Sequence, residues 1–490
     1  MDGLNAGSTI QNRPIMLCSR FPARILRGKS VNVFRHDRAA ARRPGQTQMA
    51  ATPARQPAEA GVQRQDQRTT PPSTDLLVIG LGYVGLPLAR EAAFSGLTVV
   101  GYDLNTDRVA ALNAGRSHVG DVPASDVAEM LRKGFRATSI QEEAGDPDTV
   151  VICVPTPLSA DSGPDLSAVR GAVEVTGRML RPGMLVVLES TTYPGTTDEV
   201  VRPLLEKASG LTAGVDFSLA FSPERIDPGN PHYSVRNTPK VVGGQTSSCA
   251  DAAERFYGKL CDQVVRAKSA REAEMAKLLE NTYRHVNIAL VNEMAIFSHE
   301  LGVDLRDAIR CAATKPFGFQ AFHPGPGVGG HCIPIDPNYL SYKVRTLGYP
   351  FRFVELAQEI NGRMPLYTVD RAAELLNSNA KPLKGAHVLL LGVTYKPDVA
   401  DQRESPVQLV GRKLRSRGAV LTYHDPYVDE WRLDGKLVPR ATDLDEEVAD
   451  ADLVILLQGH SAYDLESISR NARLVLDTRG HLQGLNVEVL

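Results

Sequence analysis

The sequence predicts an α/β protein in which two doubly wound parallel-sheet lobes are joined by a long central helix and a helical middle. Three observations carry this prediction. Continuous apolar runs of strand length alternate with stretches of helical period towards both ends of the chain. A glycine triplet sits where the first such run turns into a helix. Residues 269–301 keep helical spacing with no Gly or Pro among them. Continuous apolar runs suit parallel strands covered on both faces, and strand–helix–strand alternation implies a parallel sheet.

Residues 1–74 hold twelve Arg and Lys against four acids, are rich in Gln, Ala and Pro, and show no clear period. They read as a disordered basic tail. The Arg-rich, acid-poor start loosely resembles a transit peptide, and a start at Met49 is the plainer alternative. From Asp75 the texture changes. Residues 76–80 (LLVIG), 97–103 (LTVVGYD), 149–155 (TVVICVP) and 184–191 (MLVVLEST) read as strands of a first lobe spanning 75–267. In 269–301 Leu278, Tyr283, Val286, Leu290, Met294 and Phe297 recur at three- and four-residue steps, the period of one long helix. It opens a middle segment, 268–366, and provides either a core helix or a dimer seam. The α/β texture returns over 367–490, with strands expected at 386–396, 420–426, 451–460 and 473–480.

Bulk composition narrows the function classes. A chain of 490 residues exceeds what one hydrophobic core usually supports. Apolar residues make up 42% and charged residues 23%, with a net charge of −2 and a pI near 6.6, so nothing overall points to nucleic acid or an anionic membrane. No apolar run approaches the 18 residues of a transmembrane helix. Cys18, Cys153, Cys249, Cys261, Cys311 and Cys332 form no CxxC pair and are too sparse for a disulfide scaffold. Reduced thiols in a cytoplasm are the expectation.

Gly80-x-Gly82-x-x-Gly85 follows a predicted strand and opens a predicted helix. In that context the first glycine permits the tight turn, the second lets backbone approach a pyrophosphate, and the third packs helix on strand. Tyr83 and Val84 complete the loop, and the anion would rest on the helix N-terminus. Asp103, at the end of the second strand, suits a ribose 2′-hydroxyl and would repel a 2′-phosphate. NAD is therefore expected over NADP, although Arg108 nearby is able to bind a phosphate. The second α/β unit begins LLLGVTYK and lacks the triplet, so a second dinucleotide site is not expected there.

The segment PGPGVGGHCIPIDP (324–337) surrounds Cys332 with four glycines and four prolines. Prolines stiffen such a loop and glycines admit close approach, which is how a site is preorganised. Residue chemistry leaves Cys332 open as a nucleophile, a buried small residue or a metal ligand. The last fits poorly, because His331 and Cys332 are adjacent on a rigid loop and Asp336 alone supplements them. No metal is expected.

GLGYVGLP, VPTP (154–157), FSPERIDPG (221–229), KLLEN (277–281), PGPGVGGHCIPIDP and YKPDVADQRESP (395–406) occur in the order seen in UDP-sugar 6-dehydrogenases. The chain from about 75 to 490 resembles the UDP-glucose and UDP-N-acetylhexosamine dehydrogenase family. The resemblance implies two Rossmann-like domains, the first binding NAD and the last the UDP-sugar. It also implies a four-electron oxidation in which two NAD⁺ convert the sugar C6 alcohol to a carboxylate without releasing the aldehyde. A cysteine suits that chemistry, since a thiolate traps an aldehyde and then carries a hydrolysable thioester.

Residue by residue, the resemblance makes Cys332 the nucleophile. Lys277 and Asn281, one helical turn apart, become the pair beside the C6 oxygen, and Asp336 the acid ordering the site and its water. Glu224 becomes the general acid/base for thioester hydrolysis, and Thr156 a water-holding residue near the nicotinamide. A base of this kind is expected near the working pH. The loop holding His323, Gly325, Gly327 and Gly329 is implied to contact uracil and phosphate. Tyr395, Lys396 and Arg479 are implied to reach the substrate, and Arg403 the cofactor across the domain gap. A homodimer or higher homo-oligomer is likewise implied, with Lys315 standing in for an arginine the family supplies from a neighbouring subunit.

Glucose-type members usually carry NPEFLxEG and GGSCFxKD, where this chain has SPERIDPGN and GGHCIPIDP. Arg225 and His331 thus mark the branch acting on UDP-N-acetylglucosamine or UDP-N-acetylgalactosamine, ahead of N-acetylmannosamine and then glucose. Two other classes compete. One is a nucleotide-sugar-binding regulator without turnover, which the retained residue types argue against. The other is a 2-hydroxy-acid dehydrogenase, which uses a Lys/Asn pair but needs no cysteine.

Overall fold

The computed structural model describes residues 74–159, 163–330 and 332–490. The basic tail and His331, with the expectations attached to them, lie outside the described residues. The first sheet has eight strands in the order β3-β2-β1-β4-β5-β6-β7-β8. They are β1 (Thr74–Ile79), β2 (Val99–Tyr102), β3 (Arg136–Thr138), β4 (Pro147–Ile152), β5 (Leu185–Leu188), β6 (Ser218–Phe221), β7 (Lys240–Gly244) and β8 (Val264–Arg266). Neighbours run parallel except β6 and β7, which pair antiparallel.

Along β1 the alternating residues feed two cores. Leu76 and Val78 pack with α1 (Gly85–Phe94), α3 (Ala124–Arg132) and α6 (Ser247–Tyr257), while Leu77 and Ile79 pack with α4 (Ser167–Met179) and α5 (Arg202–Ser209). Helices on both faces explain why the run is apolar throughout. A further helix, α2 (Thr106–Asn113), follows β2 and is capped by the Asn105 side chain. Strand order reverses between β1 and β4, and the crevice beyond their carboxyl ends is where such sheets bind ligands.

The predicted central helix is α7 (Ala270–Glu300), 31 residues long. Its inward face is more polar than the spacing argument implied: Glu274, Lys277, Asn281, His285 and Asn292 are buried along it, whereas Tyr283, Leu290 and Phe297 are exposed. Leu278 is the member of the predicted apolar stripe that is fully buried. Helices α8 (Leu305–Ala313), α9 (Asp336–Arg345) and α10 (Arg352–Ser378) complete the middle.

The second sheet runs β10-β9-β13-β14-β15, all parallel. Its strands are β9 (His387–Leu391), β10 (Val420–His424), β13 (Leu453–Leu456), β14 (Val475–Asp477) and β15 (Val487–Val489), with a small hairpin of β11 (Arg432–Leu433) and β12 (Lys436–Leu437) beside them. Helices α11 (Val407–Ser416), α12 (Leu444–Asp450) and α13 (Leu465–Asn471) flank it. The doubly wound α/β expectation holds for both sheets. Among the described residues no helix is long and apolar enough to cross a membrane.

Candidate active site

The three glycines after β1 behave differently from one another. Gly80 adopts φ +93°, and a Cβ there would lie 2.8 Å from the Cys153 carbonyl oxygen at the end of β4. A Cβ on Gly85 would sit 1.9 Å from the Gly80 oxygen, so helix and turn meet only through a glycine. Gly82 has nothing within 4 Å of its Cβ position, which leaves its backbone open to a ligand. Helix α1 has no side-chain cap at Val84; Leu86 N–H already donates to the Gly82 oxygen at 3.0 Å and Pro87 has no N–H, so an anion here would rest on the backbone of the glycine turn at the head of the helix. Asp103 Oδ2 accepts from Leu81 N at 2.9 Å and Oδ1 from Asn105 N at 2.9 Å, fixing the carboxylate against the glycine turn. Arg108 pairs with that carboxylate at 2.8 Å; its guanidinium is committed to Asp103 rather than free for a phosphate. Arg403, from the segment after β9, stacks 4.4 Å over the Tyr83 ring and is held by both Asp401 oxygens. A dinucleotide fits this donor set.

Below the crevice lies a second group. Lys277 Nζ donates to the Glu224 main-chain oxygen at 2.5 Å. One turn on, Asn281 donates to Asp336 and accepts from Arg284. Asp336 opens α9, and its N–H closes the turn to the Cys332 carbonyl at 2.8 Å. Thr156 donates to the Thr191 oxygen at 2.8 Å, and its own carbonyl receives the hydroxyl of buried Tyr339 on α9. Thr156, Lys277, Asn281, Glu224, Asp336 and the Cys332 turn are thus linked through α7 and α9.

The electrostatics divide these groups. Cys332 is exposed, yet crowding by protein raises its thiol pKa, with Asp336 adding to the rise and Lys277, Arg284 and Arg403 opposing it. Burial pushes Asp336 up to about 7 despite Lys277, Asn281 and Arg284. Burial alone would raise Glu224 as well, but Lys240, the Ile226 N–H and Lys277 outweigh it and hold the carboxyl below its ordinary value. The acid nearest neutrality is therefore Asp336, contrary to the expectation of a Glu224 poised near the working pH. The physical reason is Lys240, 3.0 Å from Glu224 Oε2 and buried with it. Lys240 also meets Glu189 Oε1 at 2.9 Å, where Tyr257 donates at 2.5 Å. Sequence reasoning missed Lys240, Glu189 and Tyr257. The available signal was a charged residue abutting an apolar strand, as in KVVGG and LVVLE.

The PGPG loop is anchored from α7, where Asn292 Oδ1 accepts from Gly325 N at 2.9 Å. Its glycines admit protein as well as ligand. Cβ atoms on Gly325, Gly327 and Gly329 would lie 2.9 Å from Arg479, 3.0 Å from Pro406 and 2.8 Å from Tyr395. These glycines thus let the second lobe seat on the loop, a role that close access for a substrate does not cover. Arg479 is partly buried with its Nε on the Leu457 carbonyl at 2.7 Å, and desolvation and neighbouring Arg306 lower its pKa to about 10. His323 is exposed on the loop, its pKa lowered by partial burial and by Arg306 and His481. Lys396 is bound to Asp227 at 2.5 Å and to the Pro228 oxygen at 2.7 Å, joining the SPERIDPG loop to the second lobe. Arg225 pairs with Glu280 at 2.9 Å and donates to the Pro239 oxygen at 2.8 Å. Among the described residues no His, Cys, Asp and Glu group has the geometry to hold a metal.

Three family models match the chain: the NAD binding domain of the UDP-glucose/GDP-mannose dehydrogenase family over residues 74–261, its central domain over 271–363 and its UDP binding domain over 389–484. The chain is 37% identical over 352 residues to a UDP-N-acetyl-D-glucosamine 6-dehydrogenase of Pseudomonas aeruginosa, covering 72% of this chain and 82% of that protein. It is 36% identical over 415 residues to a UDP-N-acetyl-D-mannosamine dehydrogenase of Pyrococcus horikoshii, covering 82% and 95%. Among solved structures, the UDP-D-ManNAc dehydrogenase of Pyrococcus horikoshii superposes with a TM-score of 0.77 at 33% identity, covering 85% of this chain and 98% of that one.

Proposed function

The chain belongs to the UDP-glucose/GDP-mannose dehydrogenase family and is an NAD-dependent nucleotide-sugar 6-dehydrogenase; from that premise we propose that it oxidises UDP-N-acetyl-D-glucosamine to the corresponding uronate through Cys332. The observation that carries the reading is the convergence of Lys277 on Glu224 and of Asn281 on Asp336 beside the Cys332 turn. The SPERIDPGN and GGHCIPIDP variants favour the N-acetylglucosamine sugar. UDP-N-acetylmannosamine is the second reading, favoured by the Pyrococcus relative and its fold.

NAD⁺ would be held at the Gly80–Gly85 turn with Asp103 and Arg403, and two molecules bound there in succession would each accept one hydride. The C6 alcohol loses a hydride and a proton to become an aldehyde. Lys277 and Asn281 hold the oxygen that develops negative charge. The Cys332 thiol adds to the aldehyde carbon, giving a thiohemiacetal. Loss of the second hydride and the hydroxyl proton leaves a thioester. Water, oriented by Thr156 and deprotonated towards Glu224, attacks the thioester carbon, and carbon–sulfur cleavage returns the thiol and the carboxylate. His323, the PGPG loop, Tyr395 and Arg479 hold the UDP portion, and Lys396 joins them only on leaving Asp227.

We further assign the protein to the cytoplasm, where its thiols remain reduced and its product serves polysaccharide synthesis. It is a homodimer built on the exposed side of α7, where Leu279, Tyr283, Leu290 and Phe297 leave apolar surface uncovered. Exposed Lys315, lying 5.0 Å over the Phe317 ring, extends towards a neighbour's site. A panel of UDP-sugars assayed with NAD⁺ and NADP⁺ tests the reading: two NADH per UDP-N-acetylglucosamine and a uronate product are expected. One NADH with free aldehyde would sink the two-step route, and undiminished turnover in Cys332→Ser would remove the thiol from it.

A further inference from the structure

Three strands that the sequence keeps far apart bring a cation and two carboxylates together under the site. Glu189 follows β5, Glu224 follows β6 and Lys240 begins β7, and the sheet order makes these strands neighbours. Lys240 Nζ lies 2.9 Å from Glu189 Oε1 and 3.0 Å from Glu224 Oε2. All three are buried, with Lys240 only 4% exposed.

Each end of the bridge is anchored. Glu189 receives the Tyr257 hydroxyl at 2.5 Å on Oε1 and the Cys153 thiol at 3.7 Å on Oε2. Glu224 Oε1 receives the N–H groups of Arg225 and Ile226, each at 2.6 Å. The Glu224 carboxylate therefore takes two backbone donors on one oxygen and the ammonium on the other, which leaves it one preferred orientation. Two buried carboxylates sharing one ammonium carry a net negative charge, so this trio takes up a proton more readily than a simple ion pair.

We propose that Lys240, held between Glu189 and Glu224, is the positioning residue that keeps the Glu224 carboxylate charged and aimed for thioester hydrolysis. The proposal rests on the reading of Glu224 as the residue that activates water. In this assignment Lys240 acts through Glu224, to which its ammonium is bound, and takes no part in the chemical steps itself. Glu189 is its second anchor, fixing where the ammonium sits. Glu189 is also the member that takes the trio's first proton, since burial favours its neutral form while Glu224 stays ionised. The other titratable groups facing the trio are Cys153 after β4, Tyr257 at the end of α6, Cys261 between α6 and β8, and Lys277 from α7. Both thiols and the phenol are raised above their ordinary values and stay neutral through the working range.

Comparing Glu189→Gln with the double variant Glu189→Gln/Lys240→Met isolates the ammonium. The double variant keeps one buried negative charge, as the wild-type trio does, so folding is spared the two uncompensated carboxylates of Lys240→Met alone. Glu189→Gln leaves the ammonium to Glu224, and the acid limb of kcat is expected to stay in place or move to lower pH. In the double variant that limb is expected to move up by about one unit or more, the loss expected when an opposite charge within about 4 Å is removed. kcat is expected to fall about a hundredfold with KM little changed, and the Cys332-bound acyl group should accumulate in intact-mass spectra. Restoring a cation in Lys240→Arg should return the limb towards wild type. A folded double variant with an unmoved limb and no acyl-enzyme overturns the proposal. So does a limb raised equally in Glu189→Gln. Glu224→Gln reports separately on the underlying reading: full turnover there removes Glu224 from hydrolysis, whatever Lys240 does.

Discussion

Lys277 Nζ donates to the Glu224 main-chain oxygen at 2.5 Å, so a cation from α7 is tied to the loop that carries the proposed base. A lysine parked on a carbonyl needs only to trade one acceptor for another when substrate oxygen arrives. Lys277→Met is expected to lower kcat by about two to three orders of magnitude, as loss of a single oxyanion donor does elsewhere. Lys277→Arg should restore little, because the planar fork does not match a single carbonyl acceptor. Rapid-mixing absorbance at 340 nm checks this: the first NADH, not only steady turnover, should be slowed.

The parts of this arrangement were legible in the sequence to different degrees. Gly80, Gly82 and Gly85 were readable as a spaced triplet after a strand: the fold demands glycine at Gly80 and Gly85, through a positive φ and close backbone, while Gly82 leaves room for a ligand. The Lys277/Asn281 pair was readable as a single helix face. Lys240 and Glu189 were not, since their partnership exists only through the order of β5, β6 and β7. Each alone looks like the polar end of an apolar strand. The apolar spacing of α7 was read correctly as helix, but its faces were not. A helix that lines a site buries polar residues, and the hydrophobic period then points elsewhere.

Asp336 gives a pH-dependent prediction. Its folded pKa of about 7 lies above the ordinary 3.8, because the carboxyl is buried at the start of α9. A raised pKa means the native state binds the proton more tightly than the unfolded chain does. That contribution is whole below about pH 4 and is lost as pH rises through about 7, a swing on the order of 4 kcal/mol. Asp336→Asn, which cannot ionise, should therefore unfold at a higher temperature than wild type at pH 8 and at nearly the same temperature at pH 4, while turnover is lost. A difference between variant and wild type of the same size at both pH values would mean that folding does not raise the Asp336 pKa.

Lys396 was expected to reach the substrate, and its ammonium is held by Asp227 and the Pro228 oxygen across the two lobes. The pair is partly open to solvent, so its strength is modest and screened by salt. Asp227→Asn should free the lysine for a diphosphate. KM for the UDP-sugar is then expected to fall by at most about fivefold at low salt, with less effect at high salt. A raised KM would instead mean that the pair's main work is to order the SPERIDPG loop.

The glycine turn separates binding from folding within six residues. A Cβ on Gly85 would stand 1.9 Å from the Gly80 oxygen, a clash with backbone that no rotamer relieves. Gly85→Ala is expected to cost about 1–3 kcal/mol or more of stability, seen as a lower unfolding temperature with or without NAD. A Cβ on Gly82 meets nothing within 4 Å of protein, so Gly82→Ala should unfold at the wild-type temperature when no ligand is present. Its methyl group projects into the space the pyrophosphate requires, and KM for NAD should rise about tenfold or more while KM for the UDP-sugar holds. Thermal scans with and without NAD separate the two variants: Gly85→Ala should keep a stabilising shift on adding NAD from a lower baseline, whereas Gly82→Ala should start at the wild-type baseline and lose the shift. The reverse pattern would place the dinucleotide away from Gly82 and refute the assignment of the turn.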